Sequence, residues 1–108
     1  MDTHIIDLVA FDEIQKVVNL IIIDDQNWEV PREHIDMIQK KILSYVAFIE
    51  NGTFKKKYPS VSDFDTLIKV VFEHKPTEEG IKFIKQIKAV LEDTGYRLEF
   101  IDYEDTSI

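Results

Sequence analysis

Short runs of branched apolar residues alternate along this chain with two stretches whose apolar residues recur at helical spacing, and this alternation constrains the fold more than any other feature. The runs at 5–11 and 17–24 are joined by the polar segment 12–16, so they predict a hairpin of two strands. Residues 66–74 predict a third strand, and the alternation of apolar and charged residues over 96–100 predicts a fourth. A sheet of four strands is therefore expected.

Two amphipathic helices are predicted between these strands. The first begins near Pro31, which the first turn of a helix tolerates, and ends at Gly52. The second follows Thr77, its predicted N-cap, and ends at Gly95. Each helix has apolar residues along one face: Ile35, Ile38, Ile42, Tyr45, Val46 and Ile49 in the first, and Phe83, Ile84, Ile87, Val90 and Leu91 in the second.

The order β-β-α-β-α-β predicts the α+β class: a mixed four-stranded sheet with two amphipathic helices, in a single domain over residues 1–108. Each helix can serve as a right-handed crossover between parallel strands, while the first two strands pair antiparallel. Either the helices divide between the two faces of the sheet, or they share one face and leave the other open. In the second case the open face is partly apolar, because alternate residues of the first strand point to it. These residues are either Ile5, Val9 and Phe11, or Ile6, Leu8 and Ala10.

Acidic residues are concentrated at the two ends of the chain, and the formal net charge is −8 at pH 7. Residues 1–31 carry seven acidic residues against Lys16 alone, and residues 92–108 carry six against Arg97 alone. If the fold brings these segments together, they form one acidic surface beside apolar strand residues. Complementary charge speeds association with a basic partner, and buried aromatic residues hold such a complex together.

This charge pattern predicts a non-enzymatic binding protein that captures a basic protein partner. An immunity or antitoxin protein that neutralises a cationic toxin is the specific form of this hypothesis, and a homodimer with a structural role is an alternative. The expected partner-binding residues lie in the two acidic segments: Asp24, Asp25, Trp28, Glu99, Asp102, Tyr103 and Glu104.

Cysteine is absent from the sequence, so neither disulfides nor thiolate metal sites are available to the fold. The longest apolar stretch, Leu20 to Ile23, is far too short to cross a bilayer, and the first residues lack the pattern of a signal peptide. We therefore expect a cytoplasmic protein without a membrane partner.

Four segments carry a resemblance that covers most of the chain. They are Ile5-Ile6-Asp7-Leu8 in the first strand, Trp28 ahead of the first helix, Tyr45-Val46-Ala47-Phe48-Ile49-Glu50-Asn51-Gly52 at its end, and Tyr58-Pro59 beyond it. With these residues the chain resembles a small bacterial family classed only as a domain of unknown function. The resemblance implies an α/β fold and a bacterial source, and it offers no catalytic residues to carry over.

A metal-dependent phosphodiesterase is the alternative from a different functional class. Asp65, or Asp63, lies upstream of Glu73-His74-Lys75, which is similar to the acidic residue and Glu-x-Lys of one class of nucleases. In that chemistry the carboxylates hold Mg²⁺, and Lys75 stabilises the attacking water or the phosphate. Those nucleases place the two motifs on adjacent strands of a hairpin, whereas one short strand joins them here.

The irregular segment 53–65 interleaves three consecutive lysines with aromatic residues, a pattern that suits single-stranded nucleic acid. The net charge of −8 opposes phosphate binding, so we expect no nucleic-acid partner. We expect Phe54, Tyr58 and Phe64 to pack back over the first helix instead.

No metal or cofactor site is expected. The calcium-loop pattern starting at Asp25 fails, because Val30 stands where glycine is required. The histidines His4, His34 and His74 lie in separate segments, which argues against a zinc site.

Overall fold

Four strands in the spatial order β1-β2-β3-β4 form one mixed sheet. The computed structural model describes the backbone of residues 8–102 and the side chains of residues 8–101. The strands are Leu8–Asp12 (β1), Val17–Asp24 (β2), Asp65–Phe72 (β3) and Arg97–Asp102 (β4). The helices are Pro31–Glu50 (α1), Thr53–Lys57 (α2) and Glu78–Asp93 (α3), with a 3-10 helix at Pro59–Val61.

The pairing of the strands confirms the predicted α+β class with a mixed four-stranded sheet. β1 pairs antiparallel with β2, whereas β2, β3 and β4 run parallel. The bounds of β2 are those predicted, while β3 starts one residue earlier and ends two residues earlier than expected. Residues 5–7 of the predicted first strand lie outside the described part of the chain.

Helices α1 and α3 cover the same face of the sheet. Both connect neighbouring parallel strands, and the strand order advances in one direction, so right-handed crossovers place them on one side. The structure therefore has the second of the two arrangements that the sequence leaves open. The buried cluster on this side includes Val18, Leu20 and Ile22 of β2, Ile68, Val70 and Phe72 of β3, Ile38, Ile42 and Tyr45 of α1, and Leu91 of α3.

The other side of the sheet, here called the open face, carries the alternate strand residues. Val9 pairs with Leu20 of the covered side, so the neighbouring Leu8 and Ala10 point to the open face. Of the two sets considered for the first strand, the set with Leu8 and Ala10 is thus the one on the open face. Its third member, Ile6, lies outside the described residues.

Local signals set the ends of the helices. Thr77 is the N-cap of α3 as predicted, and its hydroxyl accepts a hydrogen bond of 3.1 Å from the Gly80 amide. Gly95 follows this helix with a φ of 97°, a left-handed conformation that favours glycine. Pro31 is the first residue of α1, and Gly52 follows its end with a φ of 80°.

The segment 53–65 is more regular than its sequence predicts, because it contains α2 and the 3-10 helix. Phe54 of α2 is buried, and its ring lies 6.1 Å from the ring of Phe48 on α1 and 5.7 Å from that of Tyr58. Phe54 thus packs over the first helix, as expected. Tyr58 lies instead between Phe54 and the ring of Phe11 on β1, whose centroid is 5.4 Å away. The ring of Phe64 lies 5.3 Å from the Lys16 ammonium. The three lysines of the segment are exposed.

Candidate functional site

A buried carboxylate and a buried imidazole meet where β2 ends and α1 begins. The carboxylate oxygen Oδ2 of Asp24 lies 2.5 Å from Nε2 of His34, and the side chains are 0% and 3% exposed. The other carboxylate oxygen accepts a 3.1 Å hydrogen bond from the Gln26 amide. The other ring nitrogen of His34, Nδ1, lies 2.9 Å from the Asn27 carbonyl oxygen. The pair therefore ties the turn between β2 and α1 to both elements.

The hydrogen-bond partners fix where the protons of this pair reside. A backbone carbonyl can only accept, so Nδ1 of His34 donates to Asn27. Nε2 and the Asp24 carboxylate then need one proton between them, carried either by the ring or by the carboxyl group. The arrangement of the pair therefore depends on this shared proton.

Burial raises the pKa of the Asp24 carboxyl group above its ordinary value of 3.8. The hydrogen bonds from His34 and from the Gln26 amide oppose this effect, and the neighbouring Asp25 carboxylate adds to it. The loss of hydration is the largest of these influences, so Asp24 holds a proton more readily than an exposed aspartate.

Trp28 covers one side of the pair. Its ring stacks on the imidazole of His34 with centroids 3.9 Å apart, and its indole N–H donates to the His74 carbonyl oxygen at 3.2 Å. Gly80 in the first turn of α3 lies against the same ring, where an added Cβ would come within 2.6 Å of the ring carbon Cζ3. The turn after β2 is thus joined to the segment after β3 and to α3.

An open cavity of about 150 Å³ lies beside His34, with Glu29, Glu33 and Met37 on its wall. This volume is below the ~300 Å³ at which pockets for small molecules begin. Every buried side-chain nitrogen or oxygen in the described part of the chain has a hydrogen-bond partner. The cavity therefore contains no buried polar group that requires a ligand.

The open face carries a group of aliphatic side chains, here called the aliphatic patch. Its members are neighbours across the sheet, because Leu8 pairs with Ile21, and Ile23 and Ile101 both pair with Val71. Leu8 is 49% exposed and Ile23 is 41% exposed, while Ile21, Val71 and Ile101 are partly buried. Exposed aliphatic side chains grouped in this way are typical of protein interfaces.

Carboxylates lie at one edge of this patch. Asp25 and Glu73, here called the acidic edge, directly follow β2 and β3, and both are exposed. The Glu73 amide donates to the Asp24 carbonyl oxygen at 2.9 Å, so the strand pairing continues to this edge. On the same face the Glu99 carboxylate lies 3.9 Å from the Lys69 ammonium.

The seven residues predicted to bind a partner occupy different environments. Asp24 and Trp28 are buried, at 0% and 9% exposure, and therefore support the turn from inside. Asp25 and Glu99 are exposed. Asp102 pairs with Phe72, as Asp24 does, so the two acidic segments reach the same edge of the sheet about 10 Å apart, at two strand spacings. Outside the described residues lie Tyr103 and Glu104.

The residues of the phosphodiesterase hypothesis do not converge. Asp65 is the first residue of β3 and Glu73 follows its last, so their backbones are separated by roughly 26 Å at the usual rise of a strand. One Mg²⁺ ion cannot bridge that distance. Within residues 8–101 no group of three or more His, Asp or Glu side chains could hold a metal ion.

Two residues that shape this region were missed in the sequence. His34 lies four residues before Ile38, so helical spacing alone places it on the buried face of α1. Gly80 lies against the ring of Trp28, an approach that no local pattern around the glycine indicates. The position of the ring depends on the path of the turn, which periodicity does not predict.

Comparisons with known proteins add one match. The model of a family of unknown function, DUF6572, matches residues 1–104. No curated protein and no solved structure is similar enough to this chain to match it. Within the described residues no helix is long and apolar enough to span a membrane.

Proposed function

The chain belongs to the DUF6572 family of unknown function, and we propose that it is a non-enzymatic binding protein that docks a basic protein partner on the open face. The aliphatic patch carries this proposal. Both long helices lie on the other side of the sheet, so nothing among the described elements covers Leu8 and Ile23. Burying such side chains against a partner is favourable, at about 25 cal/mol for each Å² of apolar surface.

The charge of the molecule supports a basic partner. The net charge is −8, and Asp25, Glu73 and Glu99 stand around the patch. Lys69 and Arg97 also lie on this face, where Lys69 is close to Glu99, so the acidic edge is the part that attracts a cation. Attraction of this kind raises the association rate and weakens with salt, while the aliphatic contact slows dissociation.

An immunity or antitoxin protein is the specific form that we propose. Such a protein needs a surface that recognises a cationic toxin quickly and retains it, and it needs no catalytic group. The proposed site of action is the bacterial cytoplasm, whose reducing conditions do not affect a chain without cysteine.

A capture experiment with matched variants tests the docking surface. The wild-type chain, Ile23→Lys and Ile14→Lys are used as baits in lysate of the native host, and retained proteins are identified by mass spectrometry. Ile14 is 95% exposed in the β1–β2 turn, at the opposite end of the sheet from Ile23, so both changes add one positive charge at an exposed isoleucine. We expect a basic protein that wild type and Ile14→Lys retain and that Ile23→Lys loses.

The purified partner then permits a test of the charge. Glu73→Lys and Glu13→Lys change the net charge equally, but Glu13 lies in the β1–β2 turn, away from the acidic edge. We expect the association rate to fall in Glu73→Lys alone and the difference to shrink with salt. A partner whose binding is insensitive to both Ile23→Lys and Glu73→Lys would contradict the proposal. A wild-type dimer that Ile23→Lys dissociates, measured by light scattering, would assign the face to a second copy instead.

A further inference from the structure

We propose that Asp24 and His34 form a proton-held latch, which fixes the turn after β2 while the two side chains share a proton and releases it when that proton is lost. The proposal concerns the conformation of the turn that carries Asp25. Its consequence for partner binding rests on the function proposed above, whereas the latch itself does not.

The latch acts on a short piece of backbone through three hydrogen bonds. The Asp24 side chain holds the Gln26 amide at 3.1 Å, and the His34 ring holds the Asn27 carbonyl at 2.9 Å. The Asp24 backbone carbonyl accepts from the Glu73 amide at 2.9 Å. The 2.5 Å contact between the two side chains joins these bonds into one unit, so loosening that contact affects both residues of the acidic edge.

Loss of one proton leaves the His34 ring with a single N–H for two acceptors, the Asn27 carbonyl and the Asp24 carboxylate. One ring nitrogen then presents a lone pair to an acceptor at 2.9 Å or 2.5 Å, and the two repel each other. The carboxylate also remains as a buried charge beside a neutral ring. Admitting water by opening the turn relieves both effects. The raised pKa of Asp24, caused by burial, agrees with a proton that is held tightly in the closed turn.

Most charged groups around the pair are exposed and therefore screened by water. Lys41, two turns further along the same face of α1 as His34, is buried. Asp25 is the one that raises the pKa of Asp24 through its charge. Nε of Arg32 on α1 lies 3.9 Å from Oε1 of Glu79 on α3, so these two opposite charges compensate each other near the start of both helices. The other titratable or charged groups on the segments packed around the pair are Glu29, Glu33, Glu73, His74, Lys75 and Glu78.

The variant Asp24→Asn separates the geometry of the latch from its proton. An amide in this place can still accept from the Gln26 amide through its oxygen, and its NH₂ group can donate to Nε2 of the neutral ring. The contact is then made without a titrating proton. We therefore expect Asp24→Asn to keep the turn closed across the pH range over which wild type opens it.

Hydrogen exchange of the whole chain, measured by NMR between about pH 4 and pH 8, tests this inference without any partner. Protection factors of the Gln26 and Glu73 amides, which already correct for the pH dependence of chemical exchange, are compared between wild type and Asp24→Asn at each pH. We expect them to fall at least about tenfold in wild type, as one unit of pKa linked to opening gives. They should stay level in Asp24→Asn. Level protection in wild type, or an equal fall in the variant, would overturn the latch.

A second NMR measurement uses wild type alone, so it does not depend on whether Asp24→Asn folds. The ¹⁵N shifts of both ring nitrogens of His34 in wild type report which of them carries a proton. We expect these shifts to change over the same pH range as the fall in protection, and two midpoints separated by more than about one pH unit would overturn the proposal. Because no partner is present, failure of the latch leaves the docking proposal standing, and failure of docking leaves the latch standing.

Discussion

The ring of Trp28 lies so close to Gly80 that a Cβ at this position would meet the ring carbon Cζ3 at 2.6 Å. This contact joins the start of α1 to the first turn of α3. Alanine has a helix propensity about 1 kcal/mol better than glycine, but overpacking a rigid ring costs about 1–3 kcal/mol. We expect Gly80→Ala to lower the free energy of unfolding by up to about 2 kcal/mol in chemical denaturation.

Two controls identify the ring as the cause. Gln86→Ala changes an exposed position on the same helix and should alter stability by less than about 0.5 kcal/mol. In a Trp28→Leu background the cost of Gly80→Ala should shrink, because the atoms that it meets are gone. An equal cost in both backgrounds would place the strain elsewhere.

The raised pKa of Asp24 predicts a pH dependence of stability with a definite sign. A folded state that binds a proton more tightly than the unfolded chain gains stability at low pH. This contribution is fully present below the ordinary pKa of 3.8 and is lost as the pH rises through the raised pKa of the folded state. The free energy of unfolding of wild type, minus that of Asp24→Asn, should therefore decrease as the pH rises above about 4. Urea denaturation at several pH values measures it, and an increasing difference would contradict the prediction.

Removal of the His34 imidazole should lower the free energy of unfolding strongly, because the buried Asp24 carboxylate then lacks its partner. His34→Phe retains a ring against Trp28 but deletes the partner of a carboxylate that is fully buried. Breaking a buried pair in this way costs about 3–5 kcal/mol. The double variant Asp24→Asn, His34→Phe should cost less than His34→Phe alone, because no buried carboxylate is left at this position without its partner. His74→Phe, at an exposed histidine, is the matched control and should leave the denaturation midpoint almost unchanged.

Removal of the N-cap of α3 should lower the free energy of unfolding less than removal of the His34 imidazole. Thr77→Ala removes the acceptor of the Gly80 amide and should lower stability by about 1 kcal/mol. Thr77→Ser keeps the hydroxyl and should retain most of that stability. Thermal unfolding of both variants measures the difference, and equal losses would show that the methyl group of Thr77 matters more than the cap.

Local signals account for the parts of the fold that the sequence predicted. The branched run of β2 and the cap at Thr77 depend on residues near each other in the chain, so their positions could be predicted within a residue. The order of the elements implied right-handed crossovers, but the face that each helix covers depends on strand order, which only tertiary packing fixes. Residues 53–57 formed a helix although no long apolar periodicity marks it.

The candidate site was harder to predict for a physical reason. Asp24 and His34 belong to different elements, and the chain between them turns so that both side chains enter the interior. Charge alone suggests that a carboxylate is exposed, and it placed Asp24 among the surface contacts. A buried carboxylate is stable only beside a donor, and that donor could be found only by recognising that His34 lies on the apolar side of α1.

The sheet adds its strands in the order in which they occur in the chain, β1-β2-β3-β4. No later strand therefore has to insert between two earlier ones, and every strand pairs with the one that precedes it in the sequence. The sheet can thus grow from a single edge, and Arg97–Asp102 completes it at that edge.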